Sequence, residues 1–141
     1  MLKGLDSTLT PDLLWALAAM GHGDTLAIVD ANYPAHALHA RVITLAGVDM
    51  ARATTSIGSL FPVDRAVEPA VFGMVPDNQP TQSIDSHSVV SVALSASEGR
   101  PVDIAPLERS KFYAEAKKAF AVVLTGETSS YACFLITKGV V

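Results

Sequence analysis

His22 stands between Gly21 and Gly23, with Asp24 two residues further on. Imidazole is the side chain best matched to proton transfer near neutral pH, and a carboxylate close by is able to orient or polarise it. The same tetrapeptide also fits a surface histidine in a glycine-rich helix stop, and spacing leaves both readings open. Asp30 closes the apolar run Leu26-Ala27-Ile28-Val29, a place for an active-site carboxylate or for a turn residue. His36 and His39 follow Tyr33-Pro34 and could line a polar cavity. Three histidines with two aspartates nearby raise a metal site, but their spacings match no ordered ligand motif, so no metal is expected. Arg109 precedes Phe112-Tyr113; its guanidinium offers several donors to a polyhydroxyl ligand, and it also fits a solvated helix arginine. Tyr113 and Tyr131 carry phenols that can donate to, or stack on, a ligand ring, and both suit half-buried packing equally well. Glu127 is a second carboxylate or a turn residue. Cys133, between Ala132 and Phe134-Leu135, reads as a buried structural thiol, because no fixed basic partner is evident.

These residues need elements to hold them. Thr10 is placed to cap a helix that starts at Pro11 and carries Leu13, Leu14, Leu17 and Ala18 at helical spacing, stopping at Gly21-His22-Gly23-Asp24. Thr25–Val29 is a short apolar run and a buried strand. Arg41–Leu45 is a second strand, Asp49 caps a helix with Ile57, Leu60 and Phe61 on one side, and Ala70–Val75 is a third strand. Pro76–Pro80 is a loop. Ser83–Ser97 fits a helix, although Val89, Val90 and Val92 leave a strand open. A short strand at Val102–Ile104 precedes a helix over Glu108–Phe120, and Ala121–Thr125 and Ala132–Thr137 form a closing hairpin. The alternation predicts a single α/β domain over residues 1–141. It would be a three-layer α/β/α sandwich around a mostly parallel sheet with an antiparallel carboxyl-terminal edge. In such folds a ligand sits beyond the carboxyl ends of the strands. Asp30 and the Arg109 region fall there, whereas His22 precedes a strand, which makes a site within one chain awkward.

Composition narrows the partners. Half of the 141 residues are hydrophobic and 17% are charged, which excludes a disordered segment. A net charge of -4 with only 10 basic residues offers no stripe for nucleic acid or an anionic membrane. No apolar run approaches the ~18–20 residues that span a bilayer, and no signal peptide is expected. With one cysteine, Cys133, no internal disulfide is possible, so a reducing cytoplasmic compartment is expected. No glycine-rich phosphate loop is present, and no cofactor is expected. The low charged fraction favours a homo-oligomer that buries part of its surface.

The combination is more specific than its parts. Leu13-Leu14 through Met20-Gly21-His22-Gly23-Asp24, then Asp30-Ala31-Asn32-Tyr33-Pro34-Ala35-His36, resembles the amino-terminal signature of the fucose mutarotase/ribose pyranase family. Leu60–Asp64 is similar to a mid-chain stretch of that family. Arg109-Ser110-Lys111-Phe112-Tyr113, Ala116–Val123, Thr125-Gly126-Glu127, Tyr131 and Lys138-Gly139-Val140 resemble its carboxyl-terminal part. The likeness is collinear over nearly the whole chain, weakest at residues 76–101, and closer to the fucose branch than to the ribose pyranase branch. It implies a cofactor-free isomerase that interconverts monosaccharide anomers, L-fucose foremost. D-ribose pyranase activity, or a non-catalytic sugar-binding protein on the same fold, stands as the alternative. It also implies a ring-shaped homo-oligomer, a decamer, with sites shared between subunits. By the resemblance, His22 is the catalytic histidine. Asp30, Arg109 and Tyr131 bind the sugar by the same likeness; the Ala132-Cys133 backbone is expected to hold hydroxyls beside them, and Asp24, His36 and Tyr113 to support the site. The family pattern after the tyrosine is Gly or Ala and then Asn; here it is Ala132-Cys133, and a thiol hydrogen-bonds a hydroxyl poorly where an amide would donate and accept.

Overall fold

The computed structural model describes residues 2–79 and 84–141. Helix α1 (Pro11–Ala19) begins as the sequence predicts: Thr10 Oγ1 accepts from the Leu13 amide at 3.3 Å, and Pro11 takes the first position, where an amide would be unpaired. Strand β1 (Thr25–Val29), the short helix α2 (Ala35–Leu38) and β2 (Val42–Leu45) follow. Asp49 caps α3 (Met50–Gly58) by accepting from the Arg52 amide at 2.8 Å. Then come β3 (Val71–Val75), α4 (Asp85–Glu98), β4 (Ala105–Glu108), α5 (Arg109–Ala116), β5 (Ala121–Thr125) and β6 (Phe134–Thr137).

One open alternative is settled by burial, and two boundaries move because tertiary bonds capture the backbone. The region allowed as strand or helix is α4: Val90 and Leu94, four residues apart, are buried while Val89 and Val92 face out, a helical and not a two-residue period. Its expected first residue Ser83, and Pro80 of the preceding loop, lie outside the described residues. The strand expected at Val102–Ile104 starts instead at Ala105. The Val102 carbonyl accepts from Ser91 Oγ at 2.7 Å and its amide donates to Ser95 Oγ at 2.9 Å, so α4 holds the backbone a ladder would need. The last helix stops at Ala116, and the Phe120 amide donates to the Thr25 carbonyl at 2.8 Å.

The six strands form one sheet in the order β2-β5-β1-β6-β3-β4. β2, β5 and β1 run parallel, as do β3 and β4; β6 runs antiparallel to both β1 and β3. The expected antiparallel edge is therefore corrected: β6 is central, and the edges are β2 and β4. Nor do β5 and β6 pair as a hairpin. Residues 126–133 cross the carboxyl end of β1, where the Ala31 amide donates to the Glu127 carbonyl at 2.8 Å. Phe134, Leu135 and Ile136 are all buried, and a strand apolar on both faces belongs inside the sheet.

Side chains alternate between two apolar layers. Leu26, Ile28, Val123, Phe134 and Ile136 pack beneath α1, α3 and α4. Ala27, Val29, Val122, Cys133 and Leu135 pack on the opposite face with Phe112 and Ala116 of α5. The α/β/α layering predicted from sequence is thus present. Phe112, Phe134, Leu13 and Ile57 are fully buried, and each contributes about 1.5–3 kcal/mol through burial. That core rigidly spaces the two ends of the strands.

Candidate active site

The site residues gather at opposite ends of the sheet. At one end lie the carboxyl ends of β1, β3 and β4 and, because β6 is antiparallel, the segment leading into β6. Asp30, Asn32, Tyr33, Met74, Arg109, Tyr113, Ser130, Tyr131 and Cys133 enclose a cavity of about 210 Å³ there. Asp30 is buried; its Oδ1 accepts from the Asn32 amide at 2.9 Å and its Oδ2 accepts from the Cys133 thiol at 3.4 Å. Each oxygen keeps a lone pair for a ligand hydroxyl. Burial foremost, and then the Asp30 charge, push the Cys133 thiol well above its ordinary value, so it remains a protonated donor. Arg109 Nε lies 3.0 Å from both Oδ1 and Oδ2 of Asp77, a carboxylate that sequence reasoning left in an ordinary loop. Burial first, and then the neighbouring Cys133, raise the Tyr113 phenol, keeping it a donor. Tyr113 stacks on Tyr33 with ring centres 5.1 Å apart, and the Tyr33 hydroxyl shares a hydrogen bond of 2.8 Å with His39 Nε2.

Tyr131 holds φ at 63°, a left-handed backbone that costs a non-glycine residue of order 1–3 kcal/mol. The bond from the Cys133 amide to the Tyr131 carbonyl at 2.8 Å fixes it. This bend turns the chain off the top of β6 and sets Tyr131 at the cavity rim. Ala132 points into the large core, so only its backbone is available to a ligand.

The other end is built around His22. The turn uses the left-handed φ of Gly23, 87°, and is laced to the end of β6: the Gly23 amide donates to the Lys138 carbonyl, and the Lys138 amide to the Asp24 carbonyl, both at 2.9 Å. Lys138 Nζ donates to the Leu17 and Met20 carbonyls at 2.7 and 2.6 Å, finishing α1. Asp24, expected to polarise His22, serves the turn: its Oδ2 accepts from the Gly21 amide at 2.7 Å. The carboxylate that meets His22 is Asp64, with Nε2 donating to Oδ2 at 3.1 Å. Asp64 is buried whereas the imidazole is half exposed. The Ala66 amide foremost, and also the His22 bond, hold the Asp64 carboxyl below its ordinary value, so it accepts as a carboxylate. That bond keeps the proton on Nε2 and leaves the Nδ1 lone pair able to accept a proton. Gly139 makes the approach possible: a Cβ there would lie 2.7 Å from Asp64 Cα. His22 opens onto a cavity of about 520 Å³ whose walls include Leu14, Leu17, Met20, Leu60 and Val140.

β1 alone is about 17 Å long at ~3.3 Å per residue, so one chain does not bring His22 to the Asp30 cavity. His36 joins neither group; its Nε2 lies 3.5 Å from Thr44 Oγ1 on the surface. Glu127 serves the fold, its Oε2 accepting from the Met50 amide at 3.1 Å and its Oε1 from the Ser129 amide at 2.9 Å. Among the described residues no group of three or more His, Cys, Asp or Glu side chains is placed to hold a metal. In the same residues no helix is long and apolar enough to cross a membrane.

Comparison with known proteins now adds to the geometry. The sequence profile of the RbsD / FucU transport protein family matches residues 3–141. The chain belongs to this family. It is 39% identical over 142 residues to an L-fucose mutarotase of Actinobacillus pleuropneumoniae, covering 99% of this chain and 97% of that protein. The fucose mutarotase of Streptococcus pneumoniae, solved in complex with L-fucose, superposes with a TM-score of 0.87 at 36% identity over 99% of both chains. Bacillus subtilis RbsD, solved with D-ribose, is 22% identical with a TM-score of 0.77, covering 100% of this chain and 99% of that one, and shares the fold. Within this RbsD / FucU chain, Asp64 is the residue that sequence reasoning left without a role. Its stretch, Leu60–Asp64, carried part of the resemblance, but nothing local tied it to a histidine 42 residues earlier.

Proposed function

We propose that this protein is a monosaccharide mutarotase that interconverts the anomers of L-fucose by cofactor-free acid–base ring opening and reclosure. The observation that carries the reading is the His22–Asp64 couple, an oriented proton-transfer group in a chain that also builds a carboxylate–guanidinium–phenol cavity. Full-length similarity to L-fucose mutarotases supports the choice of sugar.

Mutarotation removes the proton of the anomeric hydroxyl and protonates the ring oxygen; the open carbonyl form turns about one bond and recloses. His22, with Nε2–H fixed on Asp64, takes the hydroxyl proton at Nδ1 and returns it to the ring oxygen as ring opening proceeds. Asp30 accepts from sugar hydroxyls, and Arg109, Tyr113 and Tyr131 donate to them, while the backbone at Ala132-Cys133 closes the cavity. Because uncatalysed exchange already proceeds, acid–base help of roughly 10²–10⁴-fold suffices.

The separation of the two ends is met by assembly. The reading includes a ring-shaped, decameric homo-oligomer in which His22 of one subunit faces the Asp30 cavity of its neighbour, the whole chain acting as one domain in the cytoplasm. NMR saturation transfer with L-fucose, D-ribose and other aldoses tests it: faster exchange with catalytic amounts of protein is expected, greatest for L-fucose. Fastest exchange with D-ribose would make the protein a ribose pyranase. A folded oligomer that binds sugar without speeding exchange would be a binding protein instead.

A further inference from the structure

Asp64 belongs to no regular element, yet its carboxylate has to hold one place against His22. One side of its segment leans on the end of β6: the Asp64 amide donates to the Thr137 carbonyl at 3.0 Å, and the Gly139 amide to the Pro62 carbonyl at 2.8 Å. The other side is gripped by the end of α4. Glu98, its side chain only 9% exposed, accepts from the Val63 amide through Oε1 at 2.8 Å. Arg100, across the turn at Gly99, donates through Nη2 to the carbonyls of both Val63 and Asp64 at 3.2 Å. The two side chains brace each other, with Arg100 Nε 3.5 Å from Glu98 Oε2. Arg65 approaches the same oxygen at 3.7 Å from the solvent side.

We propose that Glu98 and Arg100 are positioning residues that set the Asp64 carboxylate against His22. The proposal rests on the reading of His22 as the proton-transfer group. Neither side chain bonds to His22 or lines the cavity it enters. They act through the backbone on either side of the Val63–Asp64 peptide bond, held at the Val63 amide and at the Val63 and Asp64 carbonyls. With Val63 fixed in the core, Gly139 against the Asp64 Cα and Oδ1 accepting from the Ala66 amide at 2.9 Å, Oδ2 is the oxygen left to meet Nε2. Loosening this grip lets Asp64 drift and frees the imidazole to carry its proton on either nitrogen. A displacement on the order of 1 Å in a catalytic group costs up to ~10²-fold in rate.

The test is E98A, E98Q, R100A and R100K in the full-length protein. Each is measured for anomer exchange of L-fucose and for imidazole ¹⁵N spectra above the histidine titration range, with the His22 signal assigned by its loss in H22N. E98A and R100A are expected to lower kcat about 10-fold with KM within about twofold, and to change the His22 spectrum from the Nε2–H form to a mixture. E98Q keeps an acceptor for the Val63 amide and should recover most of both. Wild-type kcat and an unchanged His22 spectrum in folded E98A and R100A would overturn the proposal. So would matching losses in kcat, KM and melting temperature with an unaltered spectrum, which mark a purely structural role. Should E98A not fold, E98Q and R100K decide by the same readouts. Should the wild-type protein fail to speed exchange of any sugar, the functional reading falls, while the His22 spectrum still decides whether Glu98 and Arg100 set the couple.

Discussion

The two ends of β1 solve different problems. At the carboxyl end, parallel strands deliver several loops to one place, and the reversed β6 adds Tyr131 to Cys133, so a polar cavity forms within a single chain. At the amino end there is no such convergence. His22 is placed by helix termination, a glycine turn and bonds to the end of β6, and it faces walls that are mostly apolar. One end builds a polar cavity, the other one fixed imidazole–carboxylate couple. An antiparallel strand in the middle of the sheet is what links them, since Cys133, just before β6, bonds to Asp30 while Lys138, just after it, bonds to Gly23 and Asp24 beside His22. On the proposed reading, a fold of this kind separates binding from chemistry, and a second copy reunites them.

The sharpest way to break that division is to remove chemistry at one end and binding at the other. H22A should lower the acceleration of anomer exchange by about 10²–10⁴-fold, with sugar affinity by NMR titration within about twofold of wild type. The half-exposed ring leaves little packing to lose. D30N should be comparably inactive because it loses sugar. Mixed after dissociation and reassembly, equal amounts of the two should recover about one quarter of wild-type activity if chains pair at random across shared sites. No recovery from a mixed oligomer would mean that each chain completes its own site.

A smaller effect is expected from Arg109. It supplies charge-assisted donors, worth ~1.5–3 kcal/mol each when unshared, but Asp77 already occupies Nε. R109A should therefore raise KM about 10-fold with kcat within about threefold, by steady-state exchange. D77N should follow in the same direction and less. A fall in kcat at constant KM would move Arg109 from the binding end to the chemistry.

What the sequence disclosed follows the range of the interactions. Thr10 and Asp49 were legible as caps because a cap bonds three residues away. β1 and β5 were legible from their unbroken apolar runs. The place of β6 was not, because pairing with β1 and β3 depends on where residues 126–133 cross, and a short apolar strand reads alike in a hairpin or in the middle of a sheet. At the site, Asp30, Arg109, Tyr113, Tyr131 and Cys133, each a candidate by residue type, line one cavity. Asp24 drew attention because it is adjacent to His22, yet adjacency in a turn directs its carboxylate back to Gly21. Asp64 was hidden because its partner lies 42 residues away.

The Tyr33–His39 pair sharpens the comparison through pH. Burial foremost, and then the charge of Lys117, lower the His39 imidazole below its ordinary 6.5, consistent with a neutral ring accepting from Tyr33. A lowered folded value means that the unfolded chain binds the proton first. Stability from this group is therefore full above about 6.5 and declines as pH falls from there toward the folded value, with no further loss below it. Urea unfolding between about pH 8 and about pH 5 should show this slope, flattened in H39Q. Since Tyr33 lines the Asp30 cavity, sugar affinity should weaken over the same range, and less so in H39Q.

The smallest effect concerns the thiol that stands where the family pattern has asparagine. Cys133 is 2% exposed and donates to Asp30; burial and the adjacent carboxylate raise its titration well above the usual thiol. Thiolate is the nucleophile, so at about pH 8 alkylation by iodoacetamide should be slower than for a free cysteine by at least ~10-fold, and normal in urea. C133S offers a stronger donor to the same Asp30 oxygen and should leave exchange within about twofold of wild type. C133A withdraws the donor, leaving Oδ2 of a buried carboxylate short of a partner, and should weaken sugar binding a few-fold without altering kcat. Rapid alkylation of the folded protein, or a kcat effect in C133A, would make this end of β1 reactive as well as binding, and the division between the two ends would no longer hold.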